Sequence, residues 1–194
     1  MPEGVPGEEI INDMICGDEE GLSMEGHIFL IGFMGVGKST VSRLLSRKLG
    51  REEVDTDGMI VQQEGRSIPE IFEQSGEEYF RRLETGVLDE LAGEAPCIVS
   101  CGGGMAMREE NVAKMKALGT VIFLTAQPET IYDHVKDSTH RPLLNGNMNI
   151  PYIRKLMEAR EPKYQVAADC VVVTDGWTPE QVAEEIIRVL QGDA

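Results

Sequence analysis

The amino-acid sequence predicts a three-layer α/β/α fold built on a central five-stranded parallel sheet. Three observations predict it. Short apolar runs, among them Ile28-Phe29-Leu30-Ile31 and Cys170-Val171-Val172-Val173, are unbroken by polar residues, as expected of strands covered on both faces. Between them lie longer stretches with apolar residues at helical spacing, so strand and helix alternate along the chain. A complete G-x-x-x-x-G-K-[ST] pattern, Gly32 to Ser39, separates the first run from the first helix.

Residues 1–24 read as an acidic, disordered tail preceding a single domain over 25–194. Residues 1–25 hold eight acidic side chains and no Lys or Arg. Ile10-Ile11 and Met14-Ile15 are the tail's apolar points, too few to offset the entropy of ordering it. Removing the tail is therefore expected to leave turnover and thermal stability nearly unchanged.

The first strand, Ile28–Ile31, runs into the glycine loop. Its glycines let the backbone curl until several N–H groups face a polyphosphate. Gly35, Val36, Gly37, Lys38, Ser39 and Thr40 are the predicted nucleotide-binding residues. Lys38 is placed to reach the β- and γ-phosphates and Ser39 to ligate Mg²⁺, with the following helix adding the positive end of its dipole. Val41, Leu44, Leu45 and Leu49 form that helix's apolar stripe, and Gly50 stops it.

Val54-Asp55-Thr56-Asp57 reads as a short strand. Side chains at i and i+2 of a strand share a face, so Asp55 and Asp57 are expected to project together at the ligand-binding edge of the sheet. Capping of the next helix accounts for one of these carboxylates but not both. Ser67-Ile68-Pro69-Glu70 is a capping box opening a short helix. After Gly76 a longer helix buries Phe80, Leu83, Val87, Leu88 and Leu91. Arg81 and Glu84, three apart at the edge of that stripe, read on their own as a surface ion pair.

The next strand, Cys97–Ser100, ends in Gly102-Gly103-Gly104, which either admits a ligand close to the backbone or forms a flexible turn. A helix around Val112, Met115 and Leu118, the strand Thr120–Leu124 and a helix from Pro128 to Asp137 follow. Residues 138–149 lack periodicity and are rich in turn formers, the composition of a mobile lid, and Arg141 lies within them. A helix from Ile150 to about Ala167 carries Arg160. After the last strand, Thr178-Pro179-Glu180-Gln181 opens the final helix.

The net charge of −16 argues against nucleic acid or an anionic membrane as partner. No apolar stretch approaches the roughly 20 residues of a membrane helix, and no basic residue precedes an apolar segment at the N-terminus, so a cytoplasmic protein is expected. Cys16, Cys97, Cys101 and Cys170 have no metal or redox spacing and are expected to be reduced. Cys97 and Cys101 in particular would lie about 13 Å apart along a strand.

From Gly32 to Leu190 the chain resembles the shikimate kinases, small phosphate-loop kinases of the nucleoside-monophosphate-kinase type. The resemblance rests on GFMGVGKST at 32–40, DTD at 55–57, SIPEIFEQSGEEYFRRLET at 67–85, CGGG at 101–104, RPLL at 141–144 and AREPKY at 159–164. It implies transfer of the ATP γ-phosphoryl group to the 3-hydroxyl of shikimate; a monomer is expected. Asp57, Arg81, Gly103 and Arg160 would hold shikimate, the arginines taking its carboxylate, with Gly102 and Gly104 beside them. Glu84 would orient Arg81, and Arg141 would close on ATP. Asp55 would support Mg²⁺ through water, with Ser39 as direct ligand. Lys38, Asp57 and Arg141 would be the catalytic residues.

Two positions depart from the family pattern: His134 and Trp177 stand where relatives often carry cations near the nucleotide. The alternatives are a related kinase, such as a gluconate kinase, and a non-catalytic module switched by ATP. The glycine triplet with Arg81 and Arg160 weighs against the first. The second leaves Asp57, Arg81 and Arg160 without a task.

Overall fold

Parallel strands can be joined only by long crossovers, and helices supply those joins in this chain. The computed structural model describes residues 15–16, 22–136 and 149–192. Its strands are β1 (Ile15–Cys16), β2 (His27–Ile31), β3 (Glu53–Asp55), β4 (Ile98–Ser100), β5 (Gly119–Thr125) and β6 (Cys170–Val173). Its helices are α1 (Lys38–Leu49), α2 (Thr56–Glu64), α3 (Ile68–Ser75), α4 (Glu77–Leu91), α5 (Glu109–Leu118), α6 (Pro128–Val135), α7 (Ile150–Ala167) and α8 (Pro179–Leu190), with a 3₁₀ turn at Met105–Met107.

The sheet order is β1-β6-β5-β2-β4-β3, and β3, β4, β2, β5 and β6 all run parallel. The predicted five-stranded parallel sheet is therefore present. The chain starts this sheet in the middle, at β2, adds β3 and β4 on one side, then crosses to β5 and β6 on the other. That reversal opens a crevice at the carboxyl end of β2, where open α/β sheets bind ligands.

Strand periodicity divides the core. Ile28 and Leu30 of β2 pack with Val41, Leu45, Val182 and Ile186 of α1 and α8. Phe29 and Ile31 point the other way, against Ile60, Leu88 and Met115 of α2, α4 and α5. All five residues of β2 are buried, which is why its sequence shows no alternation. Both predicted capping boxes form. Glu70 accepts from the Ser67 N–H at 2.8 Å, and Thr178 and Gln181 bond each other's backbone N–H at 2.8 and 3.3 Å.

The Asp55–Asp57 stretch differs from expectation. The strand stops at Asp55, whose Oδ1 accepts from the N–H groups of Asp57 (3.0 Å) and Gly58 (3.3 Å) and so caps α2. Asp57 thus projects from the first turn of a helix, not from a strand face shared with Asp55.

The N-terminal segment also brings something the sequence did not announce. Ile15–Cys16 adds an antiparallel pair to the edge of β6, with Cys16 in register opposite Cys170. Cys170 is disulfide-bonded, whereas Cys97 and Cys101 are free thiols, so the expectation of four reduced cysteines fails at Cys170. Ser23 exchanges hydrogen bonds with Thr120 at 3.1 and 2.9 Å, and Leu22 and Met24 pack on the core. The rest of the tail, residues 1–14 and 17–21, lies outside the described residues, as does Arg141 with most of the expected lid. Deleting residues 1–24 is expected to lower the thermal midpoint by several degrees, since it removes the strand pairing with β6, the Ser23–Thr120 hydrogen bonds and the packing of Leu22 and Met24, and each kcal/mol is worth about 2–4 °C at this size. Differential scanning calorimetry with and without reductant checks this. An unchanged midpoint would mean that these contacts contribute nothing.

Candidate active site

The glycine loop sits at the β2 crevice. Gly37 at its end has φ 101°, a left-handed conformation that favours glycine, and α1 begins at the next residue. Lys38, the first residue of α1, folds its ammonium back onto the Gly32 and Phe33 carbonyls at 2.8 and 3.0 Å. Residues Gly35 to Val41 line a cleft of about 460 Å³, closed on its far side by His134, Thr174, Trp177, Pro179 and Val182. Cleft and loop together have the size and the donors for a nucleoside polyphosphate. His134 bonds the Gly35 carbonyl through Nδ1 at 2.8 Å and so touches the loop itself. Trp177 lines the same cleft with an aromatic side chain.

Beside the loop, the Ser39 hydroxyl lies 3.4 Å from that of Ser100, the last residue of β4. Asp55 is the register partner of Ser100 across the β3–β4 pair. The Ser39 hydroxyl at the start of α1 and Asp55 at the end of β3 thus flank Ser100 from two elements, and oxygen donors of this kind are the ones Mg²⁺ prefers.

The glycine triplet after β4 collects the other predicted residues, one to each glycine. A methyl group at Gly102 would overlap Asp57, whose Cγ would lie 3.1 Å away. One at Gly103 would come within 3.8 Å of both Arg160 Nη1 and the Tyr164 hydroxyl. One at Gly104 would overlap the Arg81 guanidinium, with Cζ at 2.7 Å. Asp57, Arg160 and Arg81 come from α2, α7 and α4, so three distant stretches of chain converge on three consecutive residues. Arg160 also lies over the Phe33 ring, 5.9 Å from its centroid, which brings it to the start of the phosphate loop.

Arg81 and Glu84 are not a surface pair. Their 2.8 Å ion pair leaves Glu84 only 1% exposed, and Glu77 adds a second carboxylate to Arg81 at 2.8 Å. Burial raises the Glu84 carboxyl above its usual range, with Arg81 pulling it back down. Burial also works against the charge on Arg81, but Glu84 and Glu77 outweigh it and keep the guanidinium firmly protonated. The pair has the helical spacing seen in the sequence; its depth comes from packing of α4 that one stretch of sequence does not reveal. Cys101, directly before the triplet, is buried, and that burial pushes its thiol far above the usual range, so it supplies no nucleophile.

Two residues of the site had no role assigned from the sequence, although both lie in the motifs that carry the resemblance, DTD at 55–57 and AREPKY at 159–164. Thr56 accepts from the Gly102 N–H at 2.9 Å, and Tyr164 donates to the Gly103 carbonyl at 2.6 Å. Tyr164 stands one helical turn beyond Arg160, on the same face of α7.

The role of Gly104 can be tested directly. Its backbone, at φ −96° and ψ −12°, is open to any residue, so glycine is present there for space alone. Gly104→Ala is expected to displace the Arg81 side chain and weaken its buried ion pair with Glu84, so the thermal midpoint should fall as well. The acceptor KM should rise about tenfold or more, measured on the folded fraction below that midpoint. An unchanged KM would show that Arg81 does not need its seat on the loop.

A phosphate loop at the switch point of a parallel sheet, with a charged acceptor pocket beside it, defines a phosphate-loop phosphotransferase. The family model for shikimate kinase matches residues 34–191. The chain belongs to the shikimate kinase family. A shikimate kinase of Dehalococcoides mccartyi is 42% identical over 165 residues, covering 85% of this chain and 93% of that protein. One from Persephonella marina is 43% identical over 161 residues, 83% of this chain and 96% of the relative. Among solved structures, shikimate kinase from Acinetobacter baumannii in complex with shikimate superposes with a TM-score of 0.82 at 32% identity, covering 91% of this chain and 98% of that one. A gluconokinase from Sinorhizobium meliloti reaches a TM-score of 0.56 at 16% identity over 89% of this chain and 95% of its own, a likeness of fold alone.

Proposed function

We propose that this chain is an ATP-dependent kinase that phosphorylates the 3-hydroxyl of shikimate, giving shikimate 3-phosphate and ADP. The observation that carries the acceptor reading is the glycine triplet, on which Asp57, Arg160 and Arg81 each take one residue. One carboxylate and two guanidiniums beside a phosphate loop suit a small acceptor that bears a carboxylate and hydroxyls. Arg81 and Arg160 receive the acceptor's carboxylate, for which a planar guanidinium is well shaped. Glu84 holds Arg81 in orientation through the buried ion pair.

Asp57 meets the attacking hydroxyl, orients it and takes its proton. As the acceptor oxygen bonds to the γ-phosphorus, the bond from that phosphorus to the β,γ-bridging oxygen breaks, and the electron pair leaves on ADP. Backbone N–H groups from Gly35 to Thr40 cradle the phosphates. Lys38 leaves its loop carbonyls to meet the charge on the β- and γ-phosphates, and Arg141 closes on them from the 138–149 segment. Mg²⁺, bound by Ser39 directly and by Asp55 through water, would neutralise phosphate charge; the gathered oxygens described above fit it. We take the enzyme to be a cytoplasmic monomer, kept off nucleic acid and anionic membranes by its net charge of −16.

The test is ADP release, coupled to a spectroscopic readout, with shikimate, gluconate and nucleoside monophosphates offered in turn. Shikimate alone should raise turnover above the ATPase background. Preferred turnover of gluconate would assign a related kinase instead, and no response to any acceptor would favour a nucleotide-switched binding module.

A further inference from the structure

A run of three glycines is the least constrained backbone a site can be built on, because glycine loses the most conformational freedom on ordering. Here the run carries the contacts of Asp57, Arg160 and Arg81, so something must hold it in place. Two buried hydroxyls bond it, one from α2 and one from α7. Thr56 is fully buried and accepts from the Gly102 N–H at 2.9 Å. Tyr164 is 2% exposed, donates to the Gly103 carbonyl at 2.6 Å, and stacks on Phe123 of β5 at 5.1 Å between ring centroids. Burial raises the Tyr164 hydroxyl above its usual range while the neighbouring Arg160 pulls it back down.

The placement of the two braces is informative. Thr56 directly precedes Asp57 in α2, and Tyr164 follows Arg160 by one turn of α7. Each helix therefore holds the loop with one residue and presents a charged residue to the same loop with a near neighbour. A shift of the loop relative to either helix would break the hydroxyl contact and misplace the charged group together.

We propose that Thr56 and Tyr164 are positioning residues that fix the glycine loop against Asp57 and Arg160 and so set the affinity for the acceptor. The inference rests on the reading of this pocket as the shikimate site. The nucleotide cleft is lined by other residues, Gly35 to Val41 with His134, Thr174, Trp177, Pro179 and Val182. Loosening the glycine loop should accordingly spare ATP.

The experiment compares Thr56→Val, Thr56→Ser and Tyr164→Phe with the parent enzyme, varying shikimate at saturating ATP and then the reverse, with thermal midpoints measured in parallel. Val keeps the shape of Thr but removes the acceptor, and Phe removes one hydroxyl. Each is expected to raise the shikimate KM about tenfold, the scale on which an abandoned buried partner is felt, with the ATP KM within about twofold. Thr56→Ser keeps the hydroxyl and should restore the low shikimate KM. A shikimate KM within twofold of the parent in both Thr56→Val and Tyr164→Phe would overturn the proposal. So would a parallel rise in both KM values, the mark of a general structural role. If Thr56→Val does not fold, Tyr164→Phe decides by the same split. A parent enzyme that neither binds nor phosphorylates shikimate would overturn the acceptor reading and this inference with it, whereas an active parent with unaffected variants would overturn the inference alone.

Discussion

Lys38→Met is expected to abolish measurable phosphoryl transfer while the protein stays folded. The Lys38 side chain is only partly buried, and its ammonium bonds two carbonyls of its own loop, Gly32 and Phe33. Hydrogen bonds to a charged group contribute about 1.5–3 kcal/mol each, and less here, since water can reach the carbonyls of a partly exposed loop once the ammonium is gone. Methionine keeps the length and the helix propensity at the first position of α1. In the reaction, by contrast, the missing cation faces charge spread over the transferring group, where one preorganised donor is commonly worth about 10²–10³ in rate and a full charge more. Circular dichroism and the thermal midpoint should therefore stay close to the parent while coupled ADP release falls by about 10³-fold or more. Appreciable turnover in the folded variant would remove the glycine loop from the catalytic site.

Asp57 and Arg160 are expected to fail in different ways although both rest on the same glycine loop. Arg160 is assigned to the acceptor's carboxylate, a group remote from the reacting oxygen that is nearly the same before and during transfer. Removing such uniform binding raises KM and leaves kcat largely alone. Asp57 is assigned to the attacking hydroxyl, where its contribution grows as the oxygen loses its proton. Asp57→Asn preserves shape and the seat on Gly102 but not the proton acceptor, so kcat should fall by about 10²-fold or more. Arg160→Ala should raise the shikimate KM and hold the ATP KM within a few-fold. Initial rates at saturating ATP with shikimate varied, then the reverse, separate the cases. An Asp57→Asn variant altered only in KM, or an Arg160→Ala variant altered mainly toward ATP, would exchange or dissolve these roles.

These assignments show how much was legible in the chain. The glycine loop, the helix after it and the five parallel strands follow from patterns contained in a few consecutive residues. A phosphate loop needs its glycines and lysine at fixed spacing, and a strand buried on both faces is apolar throughout, as β2 is. The capping boxes at Ser67 and Thr178 are equally local, and both form.

Tertiary structure decided what depends on which segments meet. From their spacing alone, Arg81 and Glu84 look like an exposed pair; packing of α4 buries Glu84 and makes the pair an interior one. Asp55 and Asp57 look equivalent, yet Asp55 spends one oxygen capping α2 while Asp57 reaches Gly102. The acidic tail looks unable to dock, because its apolar content is low, but two of its residues find the open edge of β6. An unpaired strand edge offers backbone hydrogen bonds to any sequence, so no side-chain pattern announces such a contact. The sequence by itself determined that a phosphate loop would sit at the end of a buried parallel strand, because loop and strand are defined by neighbours along the chain. The resemblance implies that Asp57, Arg81 and Arg160 gather with the glycine triplet, but only the folded chain decides which glycine each one meets. That convergence depends on where α2, α4 and α7 come to rest against β4, and packing between distant segments leaves no mark on any one of them.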